Sequence, residues 1–429
     1  MTSPLRLGIA GLGTVGIGVV KIVQKHADLL ALRAGRPIAI TTVCARDPLK
    51  NRSADISAYR FVTDPVDVAT ADDVDLYIEL IGGEAGAARD SIEAALRAGK
   101  DVVTANKALL AVHGHALAEL AEGLGRVLRF EAAVAGGIPV IKTMSESLAG
   151  NRITRVMGVM NGTCNYILTR MESAGLPYDT VFDEARQLGY LEADPTLDVG
   201  GIDASHKLAI LASLAFGTRV NFDAVEIEGI ERVSIDDIRR AADMGYRIKL
   251  LGVAQMTARG LEQRMSPCLV PADSPLGQLV GGTNMVVVEG DSVGQIVLRG
   301  AGAGEGPTAS AVLSDVIEIA RGVRLPVFGQ PAESLVTAQP ARTAVPAAYY
   351  MRLELQDKPG ALAKVASVLG EAGISIDRMR QYGQHSPASV PVLVVTHKTT
   401  PEAIEFSIEA LPRTGVLVSD PVELRIEEV

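Results

Sequence analysis

The chain has 429 residues, 48% hydrophobic and 21% charged, with no low-complexity tract. At about 100–200 residues per domain this predicts three globular domains and excludes a disordered chain. A net charge of −10 and a pI near 5.3, with no Lys/Arg run, leave no electrostatic footprint for nucleic acid or anionic membrane.

Residues 5–10 (LRLGIA) read as a strand, Gly11-Leu12-Gly13-Thr14-Val15-Gly16 as a glycine turn, and 14–32 as one helix, because Val15, Val19, Val20, Val23, Leu29 and Leu30 recur at helical spacing. Strands at 38–45, 75–81 and 101–104 alternate with helices at 86–98 and 107–122, which predicts a parallel, doubly wound α/β sheet. From about 136 the pattern changes. A helix at 138–149 is followed by strands at 152–160, 247–256, 261–270, 284–289 and 294–299, with helices at 178–188 and 201–217 between them. This reads as a mixed α/β domain. Residues 302–322 form a glycine turn and a helix placed to return to the first domain.

The stretch 338–348 (AQPARTAVPAA) reads as a linker, since Pro340 and Pro346 deny helix continuation and little there can be buried. The last eighty residues stand apart as strand 349–355, helix 360–371, strands 374–382 and 390–397, helix 401–411 and strand 416–427. That is the βαββαβ, ferredoxin-like order. Cys44, Cys164 and Cys268 are too far apart for a C-x-x-C site or a disulfide framework. Met1-Thr2-Ser3-Pro4 opens no signal peptide, and no run of 18 apolar residues occurs, so a cytoplasmic chain off the membrane is expected.

The loop at 11–16 satisfies G-x-G-x-x-G between a strand and a helix. Gly11 permits the tight turn, Gly13 lets a pyrophosphate approach, Gly16 lets helix and strand pack, and the helix N-terminus faces the phosphates. A nicotinamide-dependent oxidoreductase follows. The second strand ends at Ala45-Arg46-Asp47. Arg46 suits a 2′-phosphate and Asp47 suits the ribose hydroxyls, so NADP(H) is preferred with NAD(H) as the alternative.

In 201–217, Asp203 and Lys207 are four residues apart and share a helix face with Ile210, Leu211 and Leu214. A merely solvated pair would lie opposite the apolar stripe, so this one is expected inside. The preceding loop, Gly189 to Asp198, carries Glu192, Asp194 and Asp198 in a stretch too rich in turn residues for a helix. Acids around one amine suit a zwitterionic substrate, the carboxylates holding its ammonium and the lysine exchanging a proton with an alcohol or carbonyl oxygen. The alternative is a surface acidic loop beside a salt bridge.

The blocks GLGTVG (11–16), VTANK (103–107), EAAVAGGIP (131–139), GVMNGTCNYIL (158–168), GYLEADPTLDVGGIDASHKL (189–208) and GAGEGPTASAV (302–312), in this order, resemble homoserine dehydrogenase. The resemblance implies reversible NAD(P)-dependent interconversion of L-homoserine and L-aspartate 4-semialdehyde, on the route to threonine and methionine. It implies Lys207 as proton donor to the aldehyde oxygen and Asp203 as its orienting partner. Glu192 and Asp198 would hold the substrate amine, with Tyr190, Gly189, Gly162 and Thr163 shaping the pocket. Cofactor contacts would come from Gly11, Leu12, Gly13, Thr14, Val15, Gly16, Arg46, Gly82, Thr104, Lys107 and Gly304. Lys107, a cation at a helix N-terminus, opposes the helix dipole and so asks for an anion.

The same resemblance implies a sodium ion ringed by Glu131, Val134, Gly136 and Ile138, largely through backbone carbonyls, a donor set that suits a hard cation. Residues 349–429 resemble an ACT domain, with Asp357-Lys358-Pro359-Gly360-Ala361-Leu362 as the turn that binds an amino acid in such domains. Feedback inhibition by threonine is the expectation, against a purely dimerising module. The implied layout is a dinucleotide-binding domain at 1–135 completed by a helix around 305–337, a substrate and dimerisation domain at 136–304, and the ACT domain at 349–429. No kinase-like segment precedes the glycine loop, which suggests a monofunctional form, as a homodimer or homotetramer. His206 reads as a capping or surface residue and Cys164 as a packed hydrophobe. Two other readings compete: another amino-acid dehydrogenase, and a non-catalytic NADP- or amino-acid-sensing module.

Overall fold

The computed structural model describes residues 3–191, 194–342, 345–382 and 389–428. Its first sheet is wholly parallel: β1 (Leu5–Ala10), β2 (Ile38–Cys44), β3 (Arg60–Val62), β4 (Leu76–Glu79), β5 (Asp101–Thr104) and β6 (Leu128–Arg129), in the order β3-β2-β1-β4-β5-β6. Helices cover both faces, so Leu7, Ile9, Leu76 and Ile78 are fully buried and the strands read as continuous apolar runs. Strand order reverses between β1 and β4, and ligands of open α/β sheets gather at such a switch point.

The helix expected over 14–32 is two helices, Thr14–Lys25 and Ala27–Ala34, because His26 between them leaves helical geometry (φ −122°, ψ 28°). The helix Glu305–Ala320 packs Ala309, Val312 and Val316 into one apolar cluster with Leu5, Ile9 and Val19. Gly18 permits this close approach, since a Cβ there would lie 2.6 Å from the Glu305 carbonyl oxygen.

The second sheet comprises β7 (Ile153–Val159), β8 (Glu226–Ile227), β9 (Tyr246–Thr257), β10 (Gly260–Pro271), β11 (Thr283–Gly290), β12 (Gly294–Ala301), β13 (Ala348–Gln356), β14 (Ile376–Gln381), β15 (Ser389–Thr396) and β16 (Val422–Ile426). Its order is β12-β11-β7-β9-β10-β16-β13-β15-β14, with β8 beside β10. The C-terminal part keeps the ferredoxin-like order β16-β13-β15-β14, with helices Ala361–Glu371 and Pro401–Ala410.

That part does not stand apart. β16 runs parallel to β10, pairing Arg425 with Cys268 and Ile426 with Leu269, so ten strands form one sheet. A buried ionic knot lies at the seam: Glu427 receives Arg264, Arg155 and Arg425, while Arg264 also reaches Glu262 at 3.1 Å. The stretch expected as a solvated linker is tied in as well, with Ala341 N–H donating to the Leu261 carbonyl at 3.0 Å and both Ala341 and Ala347 buried.

The helix expected over 138–149 is a short α-turn, Val140–Lys142, running into a π-turn, Thr143–Ser147, closed by Leu148 N–H on the Thr143 carbonyl at 2.8 Å. Two of the longer helices escape the sequence pattern. Gly162–Ala174 starts where the Asn161 side chain accepts from the Cys164 N–H at 2.8 Å and stops at left-handed Gly175. Ile235–Asp243 starts with a capping box between Ser234 and Asp237. None of the described helices is long and apolar enough to cross a membrane.

Candidate active site

At the carboxyl end of β1 the glycine loop divides its labour. Gly11 (φ +105°) passes so close to β4 that a Cβ would lie 2.3 Å from the Leu80 carbonyl oxygen, and a Cβ on Gly16 would lie 1.9 Å from that of Gly11. A Cβ on Gly13 would meet nothing within 4 Å. Gly13 is the N-cap of helix Thr14–Lys25 without a side-chain cap, so open space fronts uncapped N–H groups, the arrangement that receives a phosphate. Leu12 is buried, Thr14 is exposed at the helix start, and Val15 lines the adjoining cavity.

Arg46 is exposed just past β2, whereas the Asp47 carboxylate accepts the Leu49 N–H at 2.8 Å and is engaged in its own turn. Fully buried Glu79, which the sequence did not single out, organises the next loop. Its Oε1 accepts the N–H groups of Ile81 (2.7 Å) and Gly82 (3.0 Å), and its Oε2 the Thr104 hydroxyl (2.6 Å). The Asn106 amide donates to the Gly83 carbonyl at 2.7 Å and its oxygen caps the helix Lys107–Gly123 through Leu109 N–H, which fixes Lys107 at the helix start.

A cavity of about 500 Å³ lies between this edge and the second sheet. Val15, Ala105, Lys107, Gly304 and Thr308 line one side, and Asn161, Gly162, Thr163, Gly189, Tyr190, Asp198, Asp203 and Lys207 the other. Gly304 (φ +120°) opens the helix Glu305–Ala320. Asp203 is the hub: Lys207 Nζ lies 2.7 Å from its Oδ2, Lys107 Nζ 3.0 Å from its Oδ1, and the Asn161 amide donates to its Oδ2 at 3.1 Å. The pair is inside, as its place on the apolar face of helix Ile202–Phe216 predicts. Burial alone would raise the Asp203 proton affinity, but the ammonium groups of Lys207 and Lys107 overcome it and hold the carboxyl well below the usual carboxylate range.

Lys207 Nζ also donates to the Met160 carbonyl at 2.8 Å. Asn161 donates to Asp198 as well (2.9 Å), so one amide aligns both acids. Thr163 donates to the Tyr190 carbonyl at 2.9 Å, and the Tyr190 ring stacks on Tyr166 with centroids 4.4 Å apart. Gly162 admits no side chain, because a Cβ would lie 2.5 Å from the Gly282 carbonyl oxygen. Met160 and Asn161 were missed by sequence reasoning, though Asn161 carries a legible signal as an Asn before a helix.

Glu192 lies outside the described residues. The acidic loop holds one short helix, Thr196–Val199, where none was expected: Asp194 accepts the Thr196 N–H at 3.1 Å and starts the turn, which leaves Asp194 exposed and Asp198 buried. His206 is neither a cap nor a surface residue. It is half-buried, tilts against Phe222 with ring centroids 4.4 Å apart, is disfavoured as a cation by burial, and lines a second cavity of about 310 Å³ with Gly82, Gly83 and Asn106. The Lys107–Asp203 pair borders both cavities. Cys164 is fully buried, its thiol donating to the Asp198 carbonyl at 3.2 Å and pushed up by burial, so it is a packed group and no nucleophile.

Glu131, Val134, Gly136 and Ile138 lie together in one buried turn in which Ala135 and Gly136 both take positive φ (56° and 52°). The Glu131 carboxylate accepts Ile141 and Lys142 N–H at 3.0 and 2.9 Å, so its oxygens are engaged at a helix start. The Glu131 and Ile138 carbonyls accept the Val134 and Val140 N–H groups at 3.4 and 2.8 Å.

The family model for the NAD binding domain of homoserine dehydrogenase matches residues 11–131, that for homoserine dehydrogenase residues 139–317, and that for the ACT domain residues 349–411. The chain is 42% identical to homoserine dehydrogenase of Pseudomonas aeruginosa over 99% of both chains, and 40% identical to that of Bacillus subtilis over 92% of both. A solved homoserine dehydrogenase from Thiobacillus denitrificans superposes with a TM-score of 0.93 at 38% identity, covering 99% of both chains. A hyperthermophilic archaeal homoserine dehydrogenase in complex with NADPH superposes with a TM-score of 0.64 at 25% identity, over 75% of this chain and 99% of its own. The chain therefore belongs to the homoserine dehydrogenase family, an NAD(P)-dependent oxidoreductase that carries an ACT domain.

Proposed function

We propose that Lys207 is the proton donor and acceptor of the reaction and Asp203 the residue that holds and aims it. The observation that carries this is the ammonium of Lys207 at the wall of the cavity, 2.7 Å from a carboxylate that a second lysine also engages. A nicotinamide bound beside the glycine loop supplies or takes the hydride at the substrate carbon. On reduction of L-aspartate 4-semialdehyde, Lys207 gives a proton to the aldehyde oxygen, and the product is L-homoserine. On oxidation, neutral Lys207 takes the hydroxyl proton. Asp198 and Glu192 hold the substrate ammonium, while Gly162, Thr163, Gly189 and Tyr190 bound the pocket. Lys107 reaches toward the cofactor from its helix start.

Gly11 through Gly16, Gly82, Thr104 and Gly304 cradle the dinucleotide. Exposed Arg46 beside the engaged Asp47 supports NADP(H) over NAD(H). Sodium in the turn at Glu131, Val134, Gly136 and Ile138 keeps that backbone in shape. Threonine binds the ACT turn, where left-handed Gly360 (φ +86°) opens onto free space before an uncapped helix start. A cytoplasmic homodimer or homotetramer completes the reading, and three free, buried cysteines suit a reducing compartment.

The test follows NADPH oxidation by aspartate 4-semialdehyde in the natural chain and in Lys207→Ala. A loss of about 10²- to 10⁴-fold is expected for a positioned general acid. Undiminished turnover in the variant removes Lys207 from this role.

A further inference from the structure

Beneath the substrate wall lies a buried cation that the proton relay does not use. Lys249, on β9, is 3% exposed. Its Nζ donates to the Asn165 side-chain oxygen at 3.0 Å and to the Leu279 carbonyl. Asn165, in the first turn of helix Gly162–Ala174, passes the connection on: its amide donates to the Gly281 carbonyl at 2.7 Å. The next residue, Gly282, is wedged at the cavity. Its carbonyl oxygen lies 2.5 Å from where a Gly162 Cβ would stand, and a Cβ of its own would lie 3.3 Å from the Tyr190 ring. Gly162, Tyr190 and Gly282 all line the reaction cavity.

A charge is costly to bury unless its hydrogen bonds are placed, and loop carbonyls are held only where a donor reaches them. Lys249 supplies that donor between β10 and β11, where the chain from Pro271 to Thr283 has no strand of its own. We propose that Lys249, acting through Asn165, is a positioning residue that sets the width of the substrate slot between Gly162, Tyr190 and Gly282. It touches neither substrate nor cofactor, so its effect falls on binding of the semialdehyde and not on hydride or proton transfer. The inference rests on the reading of this cavity as the substrate site.

The experiment measures kcat and both KM values for Lys249→Met and Asn165→Asp, the second of which keeps a partner for Lys249 but loses the donor toward Gly281. Each variant is expected to raise KM for aspartate 4-semialdehyde by about ten-fold or more, with kcat within about three-fold and KM for NADPH unchanged, since loosened positioning removes uniform binding. An unchanged semialdehyde KM in a destabilised protein overturns the proposal and leaves Lys249 a packing residue. A parallel rise in both KM values overturns it too. If Lys249→Met does not fold, Asn165→Asp alone decides. Failure here leaves Lys207 untouched, whereas full activity of Lys207→Ala removes the substrate reading itself, so the two failures are distinguishable.

Discussion

Asp203→Asn keeps the shape of the side chain and removes the charge that faces two ammonium groups, at 2.7 Å to Lys207 and 3.0 Å to Lys107. Removing one partner of a buried pair costs on the order of 3–5 kcal/mol, because the remaining charge stays buried. The Lys107 side chain is 31% exposed, so solvent screens part of its share, whereas that of Lys207 is only 10% exposed. Since each 1.36 kcal/mol is a factor of ten in rate, a loss of roughly 10²- to 10⁴-fold in kcat/KM follows even if only part of the cost falls on the transition state. The assay is kcat/KM for NADPH-dependent reduction across pH, paired with thermal unfolding. Asp203 is held below its ordinary value of 3.8, so its contribution to stability is present above about pH 4 and is lost as pH falls further. The stability gap between natural chain and variant therefore closes in acid. Activity within about three-fold of the natural chain would refute the hub.

Gly13→Ala is expected to unfold like the natural chain, because its Cβ meets nothing, yet to raise the KM for NADPH; Gly16→Ala, with a Cβ 1.9 Å from a carbonyl oxygen, is expected to lose folded protein, as thermal unfolding of both would record. Burial, helped by the Arg247 charge and opposed by Glu172, draws Lys249 down to about 8 from 10.5 in the unfolded chain. The unfolded chain then holds more protons between those values, so stability rises with pH across about 8 to 10.5, and denaturant titrations of Lys249→Met should lack that rise. Glu427→Gln leaves three arginines short of their acid and should cost about 3–5 kcal/mol in urea unfolding. Arg46→Ala should raise the KM for NADPH more than that for NADH, in parallel initial-rate assays.

The four inner strands β1, β2, β4 and β5 were legible because they are largely buried and apolar, whereas β3 (Arg60–Val62), partly exposed, and the two-residue β6 (Leu128–Arg129) are too short to show a pattern. The Asp203–Lys207 pair was legible for the opposite reason: two charges on an apolar stripe conflict with local rules, and such conflicts mark sites. Their second partner, Lys107, sits 96 positions away and no periodicity connects it. Helix Gly162–Ala174 was hidden because it starts at Asn161, directly after a strand, in a block that reads as chemistry. The break at His26 and the π-turn after Lys142 depend on tertiary packing around helices that propensity alone would continue. The parallel seam of β16 and β10 joins residues some 160 positions apart, and only the buried Arg264 of β10 hints at a partner.

The seam also bears on what happens when the C-terminal part is lost. A chain cut before β13 would strip β10 of its neighbour and leave Arg264 inside without Glu427. β16 covers β10 only at Cys268 and Leu269, so the cut bares a short edge there as well as the buried arginine. Deleting the ACT domain is therefore a poor way to ask what it does, since the cut also leaves a buried arginine short of its acid. A homologue that dispenses with the module must close that border by other means, with a shortened strand, a bulge or a charge pointed inward.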